Sequence, residues 1–289
     1  MRILKTPDDM HAACAQLKRE GRRIGFVPTM GALHEGHLSL VRAARKQCDV
    51  VAASIFVNPL QFGPTEDLEK YPRPFERDQE LLVREGCDLL FAPDAKEMYP
   101  PGAATYVEVA GIGERLDGKS RPGHFRGVTT VVSKLFHIVE PDSAFFGQKD
   151  AAQVAILRRM VSDQSLPVRI VVCPIVRESD GLAMSSRNAY LSPAERKQAL
   201  VLHRALMRVH AMADQGERNA AKLVAAGREV IAEEPGAKLD YFEAVNWDTL
   251  EPVMDIRGGA LVAVAAWIGS TRLIDNVVLH GVGNAGVSR

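Results

Sequence analysis

Short apolar runs alternate with longer amphipathic ones through the first half of the chain, and glycine or proline closes nearly every run. No other feature limits the fold as much. Thr6-Pro7-Asp8-Asp9 opens a helix: a capping hydroxyl, proline at the first helical position, then acids at the positive end of the dipole. That helix runs to about Glu20 and stops at Gly21. Arg23 to Val27 reads as a strand ended by Pro28, and His37 to Cys48 as a helix with Leu38, Leu40, Val41 and Ala44 on one face. Asp49 to Val57 is a buried strand, Phe75 to Glu85 a helix closed by Gly86, and Asp88 to Ala92 a strand closed by Pro93. After a glycine-rich stretch, Val128, Val131, Val132, Leu135, Phe136 and Val139 fall at helical spacing. Ser143 to Phe146 is a strand, Asp150 to Val161 a helix, and Val168 to Cys173 a strand.

Strand–helix–strand alternation with such crossovers predicts an α/β fold whose parallel sheet is covered on both faces. Ligands then bind at the carboxyl ends of the strands, where the strand order reverses. The last third differs. Ser192-Pro193-Ala194-Glu195 is a capping box opening a helix to about Ala213, and an alanine-rich helix follows to about Glu234. Three β-like runs complete it: Leu239 to Val245, Ala260 to Ile268 and Arg272 to Leu279. This reads as a smaller C-terminal α+β domain with a boundary near residue 176, dividing the chain into 1–175 and 176–289. The tail after Gly281 is expected to be mobile.

Composition narrows the partners. Among 289 residues, 36 Lys+Arg balance 36 Asp+Glu, so bulk charge gives no reason to expect a nucleic acid or an anionic membrane. Ala260 to Ile268, the most apolar stretch, is too short to span a bilayer. The N-terminus does not read as a signal peptide. Cys14, Cys48, Cys87 and Cys173 stand far apart with no C-x-x-C, as expected for reduced thiols. A cytoplasmic location is the expectation.

The loops after strands carry the chemistry. Val27 to His37 contains a glycine turn and an H-x-G-H quartet at the start of a helix. Helix N-terminal amides and their dipole favour an anion there, Gly36 permits close approach, and His34 and His37 can face one phosphate. Two surface histidines, or a metal pair completed by His124, are the other readings. Gly113 to Ser120 matches the Walker A pattern by letter. Arg121-Pro122-Gly123 follows at once, so the helix that motif requires is not expected, and the segment reads as a flexible loop. Arg121 to Gly127 is basic and opens the helix near Val128, as an anion site or a solvated loop.

Gly147, Gln148, Lys149 and Asp150 lie at a strand-to-helix junction, with Gln153 one turn later. Lys149 is a point charge for a phosphate, and Asp150 either caps the helix or holds a ribose hydroxyl. Met184-Ser185-Ser186-Arg187 offers two hydroxyls and a guanidinium, suited to closing over a polyphosphate or forming an ordinary turn. Gln61 could hold a small polar substrate, whereas Asn58-Pro59 alone reads as a turn. Asp78 is a candidate for a metal-bound water.

Together, Pro28-Thr29-Met30-Gly31, His34-x-Gly36-His37, Val57-Asn58-Pro59-x-Gln61-Phe62, Arg121-Pro122-Gly123-His124-Phe125, Phe146-Gly147-Gln148-Lys149-Asp150 and Met184-Ser185-Ser186-Arg187-Asn188 resemble the pantothenate synthetase (pantoate–β-alanine ligase) family over nearly the whole chain. One departure is Ala151-Ala152 before Gln153, where many members carry a further glutamine. The resemblance implies a Rossmann-like H-x-G-H nucleotidyltransferase domain plus a smaller one, usually as a homodimer. It also implies ATP-dependent joining of pantoate and β-alanine through a pantoyl adenylate, with Mg²⁺ arriving largely on ATP.

By the same resemblance, His34, His37 and Lys149 act at the phosphates, and Ser185, Ser186 and Arg187 on the leaving pyrophosphate. Met30, Gly31, Leu33, Gly36, Gly147, Gln148, Asp150, Val176 and Met184 bind the nucleotide. Gln61, Gln153, Thr29 and Met30 meet pantoate, and Gln61 also helps admit β-alanine. His124 and Arg121 sit near the phosphates, and the second domain with the 176–188 loop acts as a lid. The rival readings are a related nucleotidyltransferase with a phosphate-bearing acceptor, or a non-catalytic nucleotide-binding regulator.

Overall fold

Six short strands form one parallel sheet in the computed structural model, which describes residues 1–64 and 66–281. They are β1 (Arg2–Leu4), β2 (Ile24–Thr29), β3 (Val50–Ile55), β4 (Leu89–Phe91), β5 (Ser143–Gly147) and β6 (Arg169–Cys173), in the order β1-β4-β3-β2-β5-β6. The chain builds outward from β2 through β3 to β4, then returns to the other side of β2 with β5. That reversal opens a crevice between the carboxyl ends of β2 and β5.

The helices of this part are α1 (Pro7–Arg19), α2 (Glu35–Gln47), α3 (Phe75–Arg84), the single turns α4 (Ala95–Met98) and α5 (Asp117–Ser120), α6 (His124–Val139) and α7 (Ala151–Asp163). The expected cap of α1 is present, Thr6 Oγ1 accepting from the Asp9 N–H at 3.2 Å. β1 is an element that sequence periodicity does not reveal, because three residues are too few to display a period of two. α6 begins at His124 rather than near Val128. Gly123, in a left-handed conformation, ends the preceding turn, and Gly127 lies within the first turns of α6, where the Leu60 carbonyl packs in the space a Cβ would need.

The Walker-like segment is not a flexible loop. Its helix ends after one turn at Ser120, as expected, but Leu116, Asp117 and Gly118 are buried. Asp117 binds Arg272 at 2.7 Å, and Arg272 in turn binds Asp240 at 2.6 Å.

The last third comprises α8 (Pro193–Asp214), α9 (Ala220–Ala232) and the antiparallel strands β7 (Ala237–Val245), β8 (Ala260–Ile268) and β9 (Thr271–Leu279), in the order β7-β8-β9. Both bonds of the Ser192–Glu195 capping box form. The apolar run of β8 is explained by burial on both faces. Leu261, Ala263 and Ala265 join one apolar core with α6 and α7, while Val262, Val264 and Ala266 join a second with α8 and α9. All four cysteines are free, and Cys14, Cys87 and Cys173 are buried. Among the described residues no helix is long and apolar enough to cross a membrane. The expectation for the tail after Gly281 concerns 282–289, outside the described residues.

Candidate active site

The crevice begins with a tight turn after β2. Gly31 and Ala32 both take positive φ, 84° and 49°. Glycine does so freely, but alanine does so at a cost. Asp78 of α3 holds this turn from beneath: Oδ2 accepts from the Ala32 N–H at 2.7 Å and Oδ1 from the Leu33 N–H at 2.8 Å. Thr29 Oγ1 donates to the Ser54 carbonyl at 2.6 Å and accepts from the Gly31 N–H at 3.2 Å.

The turn delivers His34 as the N-cap of α2. His34 Nδ1 accepts from the Gly36 N–H at 3.1 Å, and His37 Nδ1 accepts from the His34 N–H at 3.4 Å. Two imidazoles thus replace the usual hydroxyl and carboxylate of a capping box. A nitrogen that accepts carries no proton, so each ring bears its proton on Nε2. The rings lie 4.1 Å apart. A Cβ on Gly36 would stand 2.8 Å from the His34 ring, so glycine here makes room for the imidazole. Burial, reinforced by Lys149, pushes His34 down to about 4, and burial, reinforced by His34, pushes His37 down to about 3. Both are neutral at physiological pH and act as Nε2–H donors.

The opposite wall follows β5. Lys149 Nζ lies 3.2 Å from Asp150 Oδ1. Asp150 makes no capping bond to α7. Burial favours its protonated form, but Lys149, with Arg187, outweighs that and holds it below the ordinary carboxyl range. Asn276 of β9 fastens this junction, its Nδ2 donating to the carbonyls of Gln148 at 2.9 Å and Lys149 at 3.0 Å.

From the 59–62 turn, Gln61 Nε2 approaches Met30 Sδ at 2.9 Å, and Gln61 Oε1 accepts from Asn58 Nδ2 at 3.0 Å. Asn58 is more than a turn residue: it is buried, donates to the Gly127 carbonyl at 3.0 Å and accepts from Tyr99 Oη at 2.8 Å. His124 Nδ1 donates to the Gln61 carbonyl at 2.8 Å, so its Nε2 accepts from Arg121 Nη1 at 3.0 Å. Burial and Arg121 push His124 down to about 4. On the far side, the Met184 N–H donates to the Val176 carbonyl at 3.0 Å, Ser185 Oγ accepts from the Arg187 N–H at 3.2 Å, and Ser186 Oγ meets Tyr71 Oη at 3.3 Å.

The predicted residues Thr29, Met30, His34, Gly36, His37, Gln61, Arg121, His124, Gly147, Lys149, Asp150, Gln153, Val176, Met184, Ser185, Ser186 and Arg187 therefore line one cleft of about 230 Å³. It shares Arg121, His124, Lys149, Asp150 and Arg187 with a wider one of about 1170 Å³, lined by residues 62–64 and 66–70 and the start of β9. Gly31, Leu33, Gln148 and Asp78 do not line it. Gly31 and Leu33 shape the turn, Gln148 Nε2 donates to Asn276 Oδ1 at 3.2 Å, and both Asp78 oxygens are committed to amides. That last contact corrects the metal reading of Asp78. Among the described residues no group of three His, Cys, Asp or Glu could hold a metal ion, so the His34–His37–His124 metal reading also fails. Asn58, Phe62 and Tyr71 line the cleft without having been predicted as ligands. Phe62 and Asn58 stand in a motif that could have flagged them, but Tyr71 lies in a stretch with no pattern.

A parallel sheet with a neutral imidazole pair at its switch point, faced by a lysine and two arginines, defines an α/β enzyme acting on small anionic substrates. The chain belongs to the pantoate-beta-alanine ligase family, whose model matches residues 2–278. It is 65% identical to a pantothenate synthetase of Koribacter versatilis over 285 residues, covering 99% of this chain and 98% of that protein. It is 60% identical to one of Acidobacterium capsulatum, covering 96% and 97%.

Among solved structures it resembles the pantothenate synthetase of Thermus thermophilus, with a TM-score of 0.91 and 50% identity over 96% of this chain and 99% of that one. The ligase of Francisella tularensis, complexed with beta-gamma ATP and beta-alanine, matches with a TM-score of 0.79 and 36% identity over 96% and 97%. The chain is accordingly a ligase that joins pantoate to β-alanine through an amide bond. The phosphate-acceptor and regulator readings give way to this one.

Proposed function

We propose that the amide forms in this cleft in two steps, of which the first consumes ATP. A carboxylate oxygen of pantoate attacks the α-phosphorus of ATP, an acyl–phosphate bond forms, and pyrophosphate leaves. The amine of β-alanine then attacks the acyl carbon of the pantoyl adenylate, AMP leaves, and the amide nitrogen loses a proton. The observation that carries this reading is the pair of Nδ1-anchored imidazoles beside Lys149. Fixed donors aimed at developing phosphate charge stabilise a transition state without reorganising.

In this reading His34 and His37 donate from Nε2 to the α-phosphate, and Lys149 neutralises charge as the bond to pyrophosphate breaks. His37 serves as a hydrogen-bond donor rather than a charged acid in the nucleotide-free site, since its surroundings keep it neutral. Ser185, Ser186 and Arg187 hold the leaving pyrophosphate, with Arg121 and His124 beside it. Met30, Gly36, Gly147, Asp150, Val176 and Met184 frame the nucleotide. Gln61 and Gln153 bind pantoate beside Thr29 and Met30, and Gln61 then admits β-alanine. The protein's donor set offers no metal cage among the described residues. Mg²⁺ is therefore assigned to the ATP phosphates, with its own waters.

The chain is read as two units, 1–175 and 176–289, that share the core beneath β8. That continuity supports placing closure in segment 176–188 rather than in the whole second unit. A homodimer and a cytoplasmic location complete the reading, on the strength of the family; sedimentation tests the first.

The decisive experiment is ATP–pyrophosphate exchange with pantoate and Mg²⁺, β-alanine omitted. Exchange that requires pantoate, and that falls by orders of magnitude in folded His37→Ala and Lys149→Ala, supports the scheme. Absence of exchange in a wild-type protein that binds ATP refutes the adenylate. Undiminished exchange in the variants refutes the assigned roles.

A further inference from the structure

Both arginines of the cleft are already engaged, and by neighbouring residues of a single segment. Arg121 grips Glu66 with two bonds, Nε to Oε1 at 2.7 Å and Nη2 to Oε2 at 2.5 Å. Arg187 grips Asp67 the same way, Nε to Oδ2 at 3.1 Å and Nη2 to Oδ1 at 3.0 Å. The two guanidinium groups belong to distant parts of the chain, yet their acceptors are consecutive in sequence. The segment is pinned further along its length. Tyr71 meets Ser186, and Tyr190 Oη donates to the Lys70 carbonyl at 3.3 Å.

These contacts have the geometry of phosphate recognition. A guanidinium fork takes carboxylate and phosphate oxygens in the same bidentate manner. All four charged side chains are largely withdrawn from water, the two acids at 24% exposure each. Burial alone would favour a protonated Glu66, but Arg121 outweighs it and holds the carboxyl below its ordinary range. Asp67 likewise holds Arg187 in its charged form. Without these acids, two largely buried cations would stand in the cleft without a carboxylate partner.

We propose that Glu66 and Asp67 form an internal stand-in for the nucleotide's polyphosphate, occupying Arg121 and Arg187 until ATP displaces them, and thereby setting both the affinity and the selectivity for ATP. This rests on the reading that those arginines face the phosphates. A polyphosphate presents several anionic groups at once and can displace both carboxylates. A single small anion, such as inorganic phosphate or the carboxylate of pantoate, can displace only one. The acidic pair therefore keeps the phosphate subsite from filling with the wrong anion.

The test compares wild type with Glu66→Gln, Asp67→Asn and the double variant, titrated calorimetrically with ATP, pyrophosphate and adenosine. Amides keep the shape and can still accept from the arginines, so the fold is retained, and melting temperature checks this. Exchanging a charge-assisted bidentate contact for a neutral one should tighten ATP and pyrophosphate by about tenfold in the double variant. Adenosine, which lacks phosphates, should bind as before. A lowered KM for ATP and stronger inhibition by pyrophosphate should follow. Unchanged or weakened ATP binding overturns the proposal, as does an equal gain for adenosine. Arg121→Ala and Arg187→Ala separate the two levels. If they leave ATP affinity intact, the phosphate reading itself fails. If they weaken it while the acid variants change nothing, only the stand-in fails.

Discussion

Removing the Asp78 carboxylate tests whether the imidazole pair depends on the turn beneath it. Asp78 is buried and touches no part of the cleft, yet its two oxygens accept from the Ala32 and Leu33 amides. In Asp78→Ala both N–H groups lose their acceptor in a site closed to water. Each unsatisfied donor costs about 1–3 kcal/mol, giving a loss of about 2–6 kcal/mol for the two. A domain holding roughly 5–15 kcal/mol survives that. Asp78→Asn keeps the shape and one acceptor but turns an NH₂ toward the other amide, so about half the loss remains.

The left-handed Ala32, itself disfavoured by about 1–2 kcal/mol, has nothing to hold it once the carboxylate is gone. The turn relaxes and His34 moves with it. A shift of about 1 Å at reacting groups costs about 100-fold in rate. Urea unfolding reads the first effect, and the kcat of pantoate-dependent exchange reads the second. A wild-type urea midpoint in Asp78→Ala refutes the account of the turn. A destabilised variant with unchanged kcat refutes the coupling to the histidines. A change confined to Mg²⁺ dependence would return Asp78 to the metal role.

Three further outcomes are expected. His34, His37 and His124 stay neutral in the fold down to about 4, about 3 and about 4, respectively. Their ordinary pKa near 6.5 applies in the unfolded chain, which therefore binds more protons in acid. Stability is full above about pH 6.5 and falls below it by about 1.4 kcal/mol per histidine per pH unit, until the folded values are reached. Denaturation at pH 7.5 and 5.5 should show His124→Asn losing less than wild type. Gly127→Ala places a methyl 2.2 Å from the Leu60 carbonyl, and melting temperature should report a loss of about 1–3 kcal/mol or more. Arg272→Met leaves the buried Asp117 without its partner; about 3–5 kcal/mol should disappear in urea unfolding, and Asp117→Asn in the same chain should restore part of it.

The architecture was legible because parallel strands and their crossovers write themselves as local patterns. Helix caps such as Thr6 and Ser192 were readable for the same reason. β1 was too short to show a period, and α6 starts directly after the left-handed Gly123, four residues before the apolar spacing that marks it in the sequence begins. Motif residues gathered as expected when they followed strands, as His34, His37 and Lys149 do. Asp78 misled because a lone carboxylate in a helix looks the same whether it holds a metal or two amides. Asp67 and Tyr71 could not be found, since their partners Arg187 and Ser186 lie more than a hundred residues away and no local spacing encodes such a pairing.

Asn276 has a bearing on when, during synthesis, the enzyme comes into being. Its amide on β9 fixes the carbonyls of Gln148 and Lys149, so the lysine beside the histidines is positioned by a strand made long after it. The hydrogen bonds that set both imidazoles lie within residues 29–78, so they do not depend on the tether that holds Lys149 in place. The placing of Lys149 therefore waits on a strand translated more than a hundred residues after it, whereas the two imidazoles are set by residues close to them in the chain.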